Sequence, residues 1–198
     1  MREVSVNGVL LVDDDPAIRW SLSKRLERAG FEAQQAEDGI DALVKLRKKL
    51  PKVIISDLLM PRMSGFEFVS VVRQRFPSMG IIVLSGSIQS ELSEDIKPDR
   101  WFKPDLWFQK SAEHIPELMQ AVHELARKTP NHTYLPQVIS TPVRTRPGGA
   151  GYFVLTCSDC LRLFEVTSTP EDKSVERTAV CVHCEARVPY LIESSEPA

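Results

Sequence analysis

The stretch from Val53 to Gly65, VIISDLLMPRMSG, constrains the fold more than any other part of the chain. It begins with three apolar, β-branched residues, which is typical of a strand buried on both faces of a parallel sheet. The strand ends on Asp57, and a turn at Ser64 and Gly65 leads into a helical pattern. In open α/β sheets, ligands bind at the carboxyl ends of the strands. By itself, Asp57 would be interpreted as a solvated turn residue.

Three other short apolar runs also end in polar side chains. They end in the acids Asp13, Asp14 and Asp15 after 9–12, in the hydroxyl of Ser85 after 80–84, and in the ammonium of Lys110 after 106–109. Because the strands of a parallel sheet point the same way, we expect these groups to converge at one edge. Clustered carboxylates repel one another unless a cation lies among them, and Mg²⁺ prefers hard oxygen ligands. A carboxylate beside Mg²⁺, a lysine and a hydroxyl is equipped to accept a phosphoryl group.

Between these strands, apolar residues recur at helical spacing. Pro16 suits the first turn of one helix, Gly30 its end and Asp38 the start of the next, while Pro77 marks the end of a third. Residues 8–128 therefore contain five strand–helix units. This alternation predicts a doubly wound, five-stranded parallel sheet with helices on both faces.

The acidic run at 13–15, the SDLLMPRMSG motif around Asp57, and the later Ser85 and Lys110 resemble the receiver domain of bacterial response regulators. The resemblance covers about residues 5–128 and implies a CheY-like, flavodoxin-like α/β fold. It implies a two-component phosphorelay in which Asp57 is the phosphoacceptor, supplied by a histidine kinase or a phosphotransfer protein. The implied Mg²⁺ ligands are Asp57, Asp14 directly, Asp13 partly through water, and the backbone carbonyl of Leu59.

The resemblance also implies a switch. Ser85 would hydrogen-bond the phosphoryl group and Lys110 would neutralise it, so both would close on phosphorylated Asp57. Trp107 lies at the family's aromatic switch position, and plain core packing is an equally good interpretation of it. The side chain two residues after the phosphoacceptor often holds the hydrolytic water in this family. Because Leu59 cannot do so, we expect a long-lived phosphoaspartate.

The segment 88–103 departs from the family pattern. Prolines interrupt its second half, so we expect a short helix over 90–96 followed by irregular chain. Lys103 precedes a proline, as the family's active-site lysine does, whereas Lys110 follows a strand-like run and precedes a serine. We assign the active-site lysine to Lys110, because position in the fold outranks a dipeptide.

The composition divides the chain into a receiver domain (1–128), a Pro/Gly-rich linker (129–150) and a second domain (151–198). The tail contains all four cysteines of the chain, Cys157, Cys160, Cys181 and Cys184. Two CxxC pairs at this separation match tetrahedral zinc sites. The tail therefore resembles a small β zinc ribbon, in which we expect strands at 161–166 and 187–192 and a hairpin between the cysteine pairs. We expect the polar residues 168–172 to form its turn. So small a domain needs a metal to fold.

Two other interpretations of the cysteines are weaker. A redox CxxC needs a βα context that activates the thiolate, and none is evident here. Two disulfides are disfavoured in a reducing compartment. His183 lies inside the second cysteine pair, and we expect that it is not a ligand.

We expect a downstream protein partner that binds through the receiver or the ribbon. The ribbon favours protein over nucleic acid, because its acids outnumber its basic residues and acidic modules bind nucleic acid poorly. A transcriptional regulator that binds DNA through the ribbon stays open, and so does a homodimer that forms on phosphorylation. The net charge of −2 and the lack of a long apolar stretch predict a cytoplasmic protein without membrane contact.

Two rival functions differ in class. A phosphatase of the haloacid-dehalogenase type would use Asp13 and Asp15 as a D-x-D motif, but Ala17 stands where that family has threonine. A degenerate receiver would act as a constitutive adaptor without phosphorylation. We expect no enzymatic activity beyond transfer of the phosphoryl group to and from Asp57.

Overall fold

The computed structural model describes residues 3–86, 102–129, 143–144, 147–148, 152–157, 159–167 and 176–191. The chain divides into two compact units, Met1–Leu135 and Pro136–Ala198. Within the described residues, no helix is both long enough and apolar enough to cross a membrane.

A five-stranded parallel sheet forms the centre of the first unit, as the sequence predicts. In spatial order its strands are β3 (Glu32–Ala36), β2 (Gly8–Val12), β5 (Val53–Asp57), β6 (Gly80–Ser85) and β7 (Leu106–Gln109). Two short parallel strands, β1 (Glu3–Val4) and β4 (Lys49–Leu50), form a separate pair. Every residue of β2, β5 and β6 is buried, which explains why these strands are nearly continuous apolar runs.

The described helices of this unit are α1 (Pro16–Arg28), α2 (Gly39–Lys48), α3 (Gly65–Arg75) and α4 (Ile115–Lys128), the last preceded by a 3₁₀ turn at Ala112–His114. Asp15 and Asp38 cap α1 and α2, and Ser64 forms a capping box with Glu67 at the start of α3. Gly30, with a φ of 85°, ends α1. The short helix predicted over 90–96 lies outside the described residues.

One face of the sheet packs against α1 and α4. Strand residues such as Leu11, Ile55 and Leu84 form a buried cluster there with Leu26 of α1 and Val122 of α4. The three-to-four-residue spacing of apolar residues in these helices, visible in the sequence, supplies that contact.

The chain leaves α4 at the end of the sheet opposite Asp57. The buried Lys52, which lies just before β5, donates a hydrogen bond of 2.7 Å from Nζ to the carbonyl of Thr129. An ammonium at a helix C-terminus complements the helix dipole. Lys52 therefore holds the first residue of the predicted linker against the sheet.

The second unit is built from two antiparallel hairpins. They are β10 (Tyr152–Thr156) with β11 (Leu163–Thr167), and β12 (Glu176–Val180) with β13 (Arg187–Leu191). Two short strands, β8 (Val143–Arg144) and β9 (Pro147–Gly148), add a third strand to each sheet. They belong to the segment that the sequence assigns to the linker. Proline is tolerated in β9 because it forms an edge strand.

The hairpin predicted between the cysteine pairs is replaced by a different pairing. Strand β11 pairs with β10, and β12 pairs with β13, so each hairpin turns at its own cysteine pair. The polar turn predicted at 168–172 lies outside the described residues. A small core of Leu155, Phe164, Val188 and Tyr190 packs against the buried cysteines Cys157 and Cys181.

Candidate functional site

Three carboxylates meet at the carboxyl end of the large sheet. Asp13 follows β2, Asp14 is its neighbour and Asp57 ends β5. One carboxylate oxygen from each residue lies within 4.8 Å of the other two. Asp13 and Asp57 are each only 4% exposed, whereas Asp14 is exposed. Buried like charges destabilise one another, so this cluster requires a cationic partner.

Lys110 provides such a partner. Its Nζ lies 2.8 Å from Oδ2 of Asp57 and 2.9 Å from Oδ2 of Asp13. Burial disfavours the charged amine, but hydrogen bonds and charge attraction to Asp57 and Asp13 together outweigh this effect and raise the pKa of Lys110. Burial also raises the pKa of Asp57, although Lys110 opposes the shift. Burial therefore disfavours the ionised form of Asp57, while the ammonium of Lys110 favours it.

Lys103 lies at the end of β7 that is far from the carboxylates. It is exposed and precedes β7, whereas Lys110 directly follows that strand. The backbone carbonyl of Lys103 accepts a hydrogen bond of 2.8 Å from Nε of Arg73. The structure thus brings Lys110 to Asp57 and holds Lys103 at the opposite end of the same strand.

Ser85 and Leu59 flank the cluster. Ser85 is fully buried at the end of β6, one position beyond Leu84, the register partner of Asp57. Its carbonyl accepts a hydrogen bond of 2.7 Å from the backbone N–H of Lys110. Leu59, two residues beyond Asp57, has a side chain that is 52% exposed.

Trp107 is part of an aromatic cluster. Its ring meets that of Phe102 edge-on at 5.4 Å between centroids, and Phe102 also contacts Phe66 of α3 at 4.9 Å. Trp107 pairs with Val83 in the sheet and is partly buried. Core packing therefore describes the position of Trp107 in this structure.

Gly65 is a site residue that the sequence pattern indicated only as part of a turn. A Cβ at this position would overlap the backbone carbonyl of Asp57. The N–H of Gly65 donates to the carbonyl of Leu58 at 2.9 Å, and the N–H of Leu58 donates to Oδ1 of Asp57 at 2.7 Å. These bonds leave Oδ2 of Asp57 to face Lys110. A glycine directly after a helix-capping serine was the available sequence signal.

Asp15 does not join the cluster. Its Oδ1 accepts the backbone N–H groups of Ala17 and Ile18 at the start of α1. The D-x-D arrangement of the phosphatase alternative would need this carboxylate beside that of Asp13.

The donor set of the carboxylate cluster fits Mg²⁺. Asp13, Asp14 and Asp57 offer hard oxygens close enough to share one ion directly or through water. Magnesium keeps several waters when it binds, which the exposed position of Asp14 permits.

The four cysteines form a second cluster, in the small unit. Their Sγ atoms all lie within 4.8 Å of one another, and no disulfide joins them. Cys157 lies 3.6 Å from Cys184, and Cys160 lies 3.7 Å from Cys181. Sulfurs bound to zinc at about 2.3 Å in a tetrahedron are separated by about 3.8 Å. The cluster therefore has the size of a zinc site.

The two cysteine turns have matching backbone geometry. Leu161 and Glu185 each follow the second cysteine of a pair with positive φ, 57° and 61°. Backbone N–H groups point at the first cysteine of each pair, from Cys160 to Cys157 and from His183 to Cys181. Burial raises the pKa of Cys157. Thiolates in such a site need a bound cation, and backbone N–H donors orient them toward it.

His183 lies near the cysteines without joining them. Its Nε2 lies 3.0 Å from the carbonyl oxygen of Leu163 in β11. The ring therefore bridges the second cysteine turn to the first hairpin.

Comparison with known proteins assigns the first unit. A family model described as the response regulator receiver domain matches residues 9–97. The chain is 32% identical to the response regulator TrrA of Thermotoga maritima, solved in complex with Mg²⁺ and BeF, with a TM-score of 0.52 over 60% of this chain and 98% of that one. It is 34% identical to the chemotaxis response regulator CheY4 of Vibrio cholerae, with a TM-score of 0.52 over 60% of this chain and 99% of that one. The chain belongs to the response regulator receiver family.

The curated relatives of this receiver are longer proteins. Escherichia coli NtrC, a DNA-binding transcriptional regulator, is 38% identical over 77 residues, which are 39% of this chain and 16% of NtrC. The response regulator MprA of a Mycobacterium strain is 35% identical over 77 residues, which are 34% of its length. The family match ends at residue 97, inside the segment 88–103 in which the sequence departs from the family pattern. The remaining parts of NtrC and MprA therefore lie outside what this receiver shares with them.

Proposed function

We propose that this receiver is a phosphorylation switch of a two-component system, in which Asp57 accepts a phosphoryl group from a histidine kinase or a phosphotransfer protein. The observation that carries the proposal is the ammonium of Lys110 within 3 Å of both Asp57 and Asp13. A buried carboxylate with one oxygen facing a fixed cation is arranged for attack on a phosphorus atom.

The roles of the chain's own residues follow from this geometry. Asp57 would attack phosphorus through Oδ2, because Oδ1 accepts the N–H of Leu58. As the new O–P bond forms, the P–N bond to the donor's histidine would break and the imidazole would leave. Lys110 neutralises a phosphoryl oxygen, and Asp13 and Asp14 are the side chains that would hold Mg²⁺ together with Asp57 and the Leu59 carbonyl. When bound, Mg²⁺ supplies positive charge at the transferring group. TrrA, a response regulator similar to this chain, was solved in complex with Mg²⁺ and BeF.

Phosphorylation would act on the ends of β6 and β7. It adds about −1.5 to −2 charges and three acceptor oxygens to Asp57. The hydroxyl of Ser85 and the ammonium of Lys110 would form hydrogen bonds with these oxygens by approaching them. Because the N–H of Lys110 donates to the carbonyl of Ser85, a shift of one residue carries the other. Trp107, three residues earlier on β7, is the aromatic side chain that would respond.

We further propose that the four cysteines bind zinc and that the small unit is the output module. The Sγ separations of 3.6 and 3.7 Å and the paired backbone turns support a structural Zn²⁺ site. Among the described exposed residues of this unit, Arg162 and Arg187 are offset by acids such as Glu165 and Glu185. Such a surface favours a protein partner over nucleic acid.

Phosphoryl uptake from a small donor tests the main proposal. Purified chain is incubated with Mg²⁺ and acetyl phosphate, and intact mass spectrometry counts phosphoryl groups. We expect one group on the wild-type chain and none on Asp57→Asn. The matched control is Asp41→Asn, since Asp41 is a carboxylate of the same domain that pairs with Lys45. Failure of the folded wild-type chain to take up phosphoryl supports the constitutive adaptor instead.

Light scattering with Mg²⁺ and beryllofluoride then tests the output. A doubled mass indicates a homodimer formed on activation. Beryllofluoride mimics the phosphoryl group on Asp57. If it binds and the mass stays unchanged, the next step is to search for a partner of the small unit. Direct binding of a DNA fragment by the full chain would favour the transcriptional alternative.

A further inference from the structure

The loop between β5 and α3 is fixed at both ends by its backbone. Near its start, the carbonyl of Leu58 accepts the N–H of Gly65 at 2.9 Å. Near its end, the carbonyl of Met63 accepts the N–H of Gly39, the first residue of α2, at 3.2 Å. Leu59, whose carbonyl is the expected metal contact, lies between these two anchors.

Arg62 is the unusual residue of this loop. Its φ is 63°, in the left-handed region that favours glycine and is costly for a side chain. A non-glycine residue persists in this conformation only where surrounding contacts over-determine it. The contacts of the Arg62 side chain therefore require an explanation.

The guanidinium of Arg62 forms ion pairs with two consecutive acids. It lies 2.5 Å from Oε1 of Glu37, and its Nε pairs with Oδ2 of Asp38. Asp38 is fully buried, and its Oδ1 caps α2 by accepting the N–H of Asp41. Arg62 is thus tied to a buried helix cap, although its own side chain is half exposed.

Close packing between Gly39 and Met63 also joins the same two loops. A Cβ at Gly39 would lie 2.7 Å from Cγ of Met63, closer than real Cβ contacts allow. The loop that follows Asp57 and the loop that precedes α2 therefore interlock. The side-chain anchor of this arrangement in the described structure is Arg62.

We propose that Arg62 is a positioning residue of the phosphoacceptor site, whose ion pairs with Glu37 and Asp38 hold the loop that presents the Leu59 carbonyl to a divalent cation. Removal of the guanidinium frees the loop to leave that shape, so cation affinity falls while Asp13, Asp14 and Asp57 stay intact. The inference rests on the proposed function, because it assumes that the carboxylate cluster binds the cation.

The test compares three substitutions at one position. Arg62→Gly removes the ion pairs but tolerates the positive φ, Arg62→Ala removes the ion pairs and keeps the strain, and Arg62→Lys keeps one charge. The affinity for Mn²⁺, a stand-in for Mg²⁺, is measured by electron paramagnetic resonance of the free ion on the full chain. The Mg²⁺ concentration that gives half-maximal phosphoryl uptake is measured in parallel.

We expect Arg62→Gly and Arg62→Ala to weaken Mn²⁺ binding to the same extent, by about tenfold, as for other residues that orient metal ligands. Arg62→Lys should lose less, since an ammonium can still pair with one acid. Saturating Mg²⁺ should restore the maximal uptake rate of each variant. The control Lys24→Gln, which breaks the exposed ion pair of Lys24 and Glu27 on α1, should bind Mn²⁺ as the wild-type chain does.

The proposal is overturned if Arg62→Gly binds Mn²⁺ as tightly as the wild-type chain, because the site would then need only the backbone conformation at position 62 and not the ion pairs. An uptake rate that saturating Mg²⁺ does not restore also overturns it. These results differ from failure of the proposed function, in which the wild-type chain itself takes up no phosphoryl group. If the wild-type chain binds no Mn²⁺ at the carboxylates, both proposals fail.

Discussion

Nζ of Lys110 lies 2.8 Å from Oδ2 of Asp57, at the end of the sheet where β5 and β7 both finish. Lys110 also lies 2.9 Å from Asp13, so one ammonium bridges two buried carboxylates. This ammonium offsets their repulsion, and under the proposed phosphorylation it would lie near the added negative charge.

Replacement of Lys110 should slow phosphoryl uptake more than replacement of Lys103. We expect Lys110→Met to lower the initial rate from acetyl phosphate by about 100-fold or more, the usual loss when one charge-stabilising donor is removed. Lys103→Met should leave the rate unchanged, because Lys103 is exposed at the far end of β7. Quenched time points analysed by intact mass give both rates. Equal rates for the two variants would contradict the assignment of Lys110.

Replacement of Asp57 should stabilise the receiver in the absence of divalent cations. Burial raises the pKa of Asp57 above its ordinary value of 3.8, so the folded state disfavours the ionised carboxylate at neutral pH. Asp57→Asn removes this charge, and we expect the melting temperature to rise by a few degrees. Each kcal/mol gained in the free energy of unfolding corresponds to about 2–4 °C.

The stability gained in Asp57→Asn should depend on pH. A carboxyl with a raised pKa costs stability above its folded pKa and costs nothing below its unfolded pKa. The advantage of Asp57→Asn should therefore shrink as the pH falls toward 3.8. Melting curves by circular dichroism at several pH values measure it. Asp41→Asn, which removes a partly exposed carboxylate, should show no such gain.

The α/β fold could be predicted from the sequence because its signals are local. The buried strands are apolar runs, and Asp38 caps α2 where the sequence predicts that this helix begins. The convergence of Asp57 and Lys110 also follows, since parallel strands end at one edge.

The remaining features depend on long-range contacts that no local pattern encodes. Arg62 pairs with Glu37, which lies 25 positions earlier in the chain. Similarly, β8 pairs with β13 across more than forty residues, so Val143 resembled a linker residue. Local composition identifies a proline-rich segment but carries no information about its partner strand.

Substitution of Gly65 should damage the site by steric overlap. A Cβ in Gly65→Ala would overlap the carbonyl of Asp57, so α3 or β5 must shift. We expect a loss of about 1–3 kcal/mol in the free energy of unfolding and slower phosphoryl uptake. Urea unfolding and the acetyl phosphate assay measure the two effects.

Gly30→Ala is the matched control for that substitution. Gly30 has a φ of 85°, but a Cβ added there would have no neighbouring atom within 4 Å, so its cost is conformational and remote from Asp57. It should lower stability by about 1 kcal/mol and leave uptake unchanged. Normal uptake in Gly65→Ala would show that the close approach to Asp57 is not required.

The lifetime of the phosphorylated state should depend on Leu59. Its exposed side chain has no polar atom to orient a water toward Asp57, so hydrolysis should be slow. Leu59→Asn adds an amide at that position, and we expect the half-life of phospho-Asp57 to shorten several-fold. Leu59→Ala removes bulk without adding an amide and should leave the half-life close to that of the wild-type chain. Loss of the phosphoryl group after removal of the donor is followed by mass spectrometry. An equal half-life in Leu59→Asn would exclude this role.

Zinc removal should unfold the small unit and spare the receiver. Cys157 and Cys181 belong both to the cysteine cluster and to the core with Phe164 and Tyr190, so loss of the proposed metal would expose that core. We expect one zinc per chain by elemental analysis and loss of it in Cys184→Ser. His183→Ala should retain the metal, because the His183 ring contacts the Leu163 carbonyl instead. Chelation should abolish the slow amide exchange of β10 to β13 while phosphoryl uptake by Asp57 persists. Retention of protected amides without zinc would show that these hairpins are stabilised by another contact.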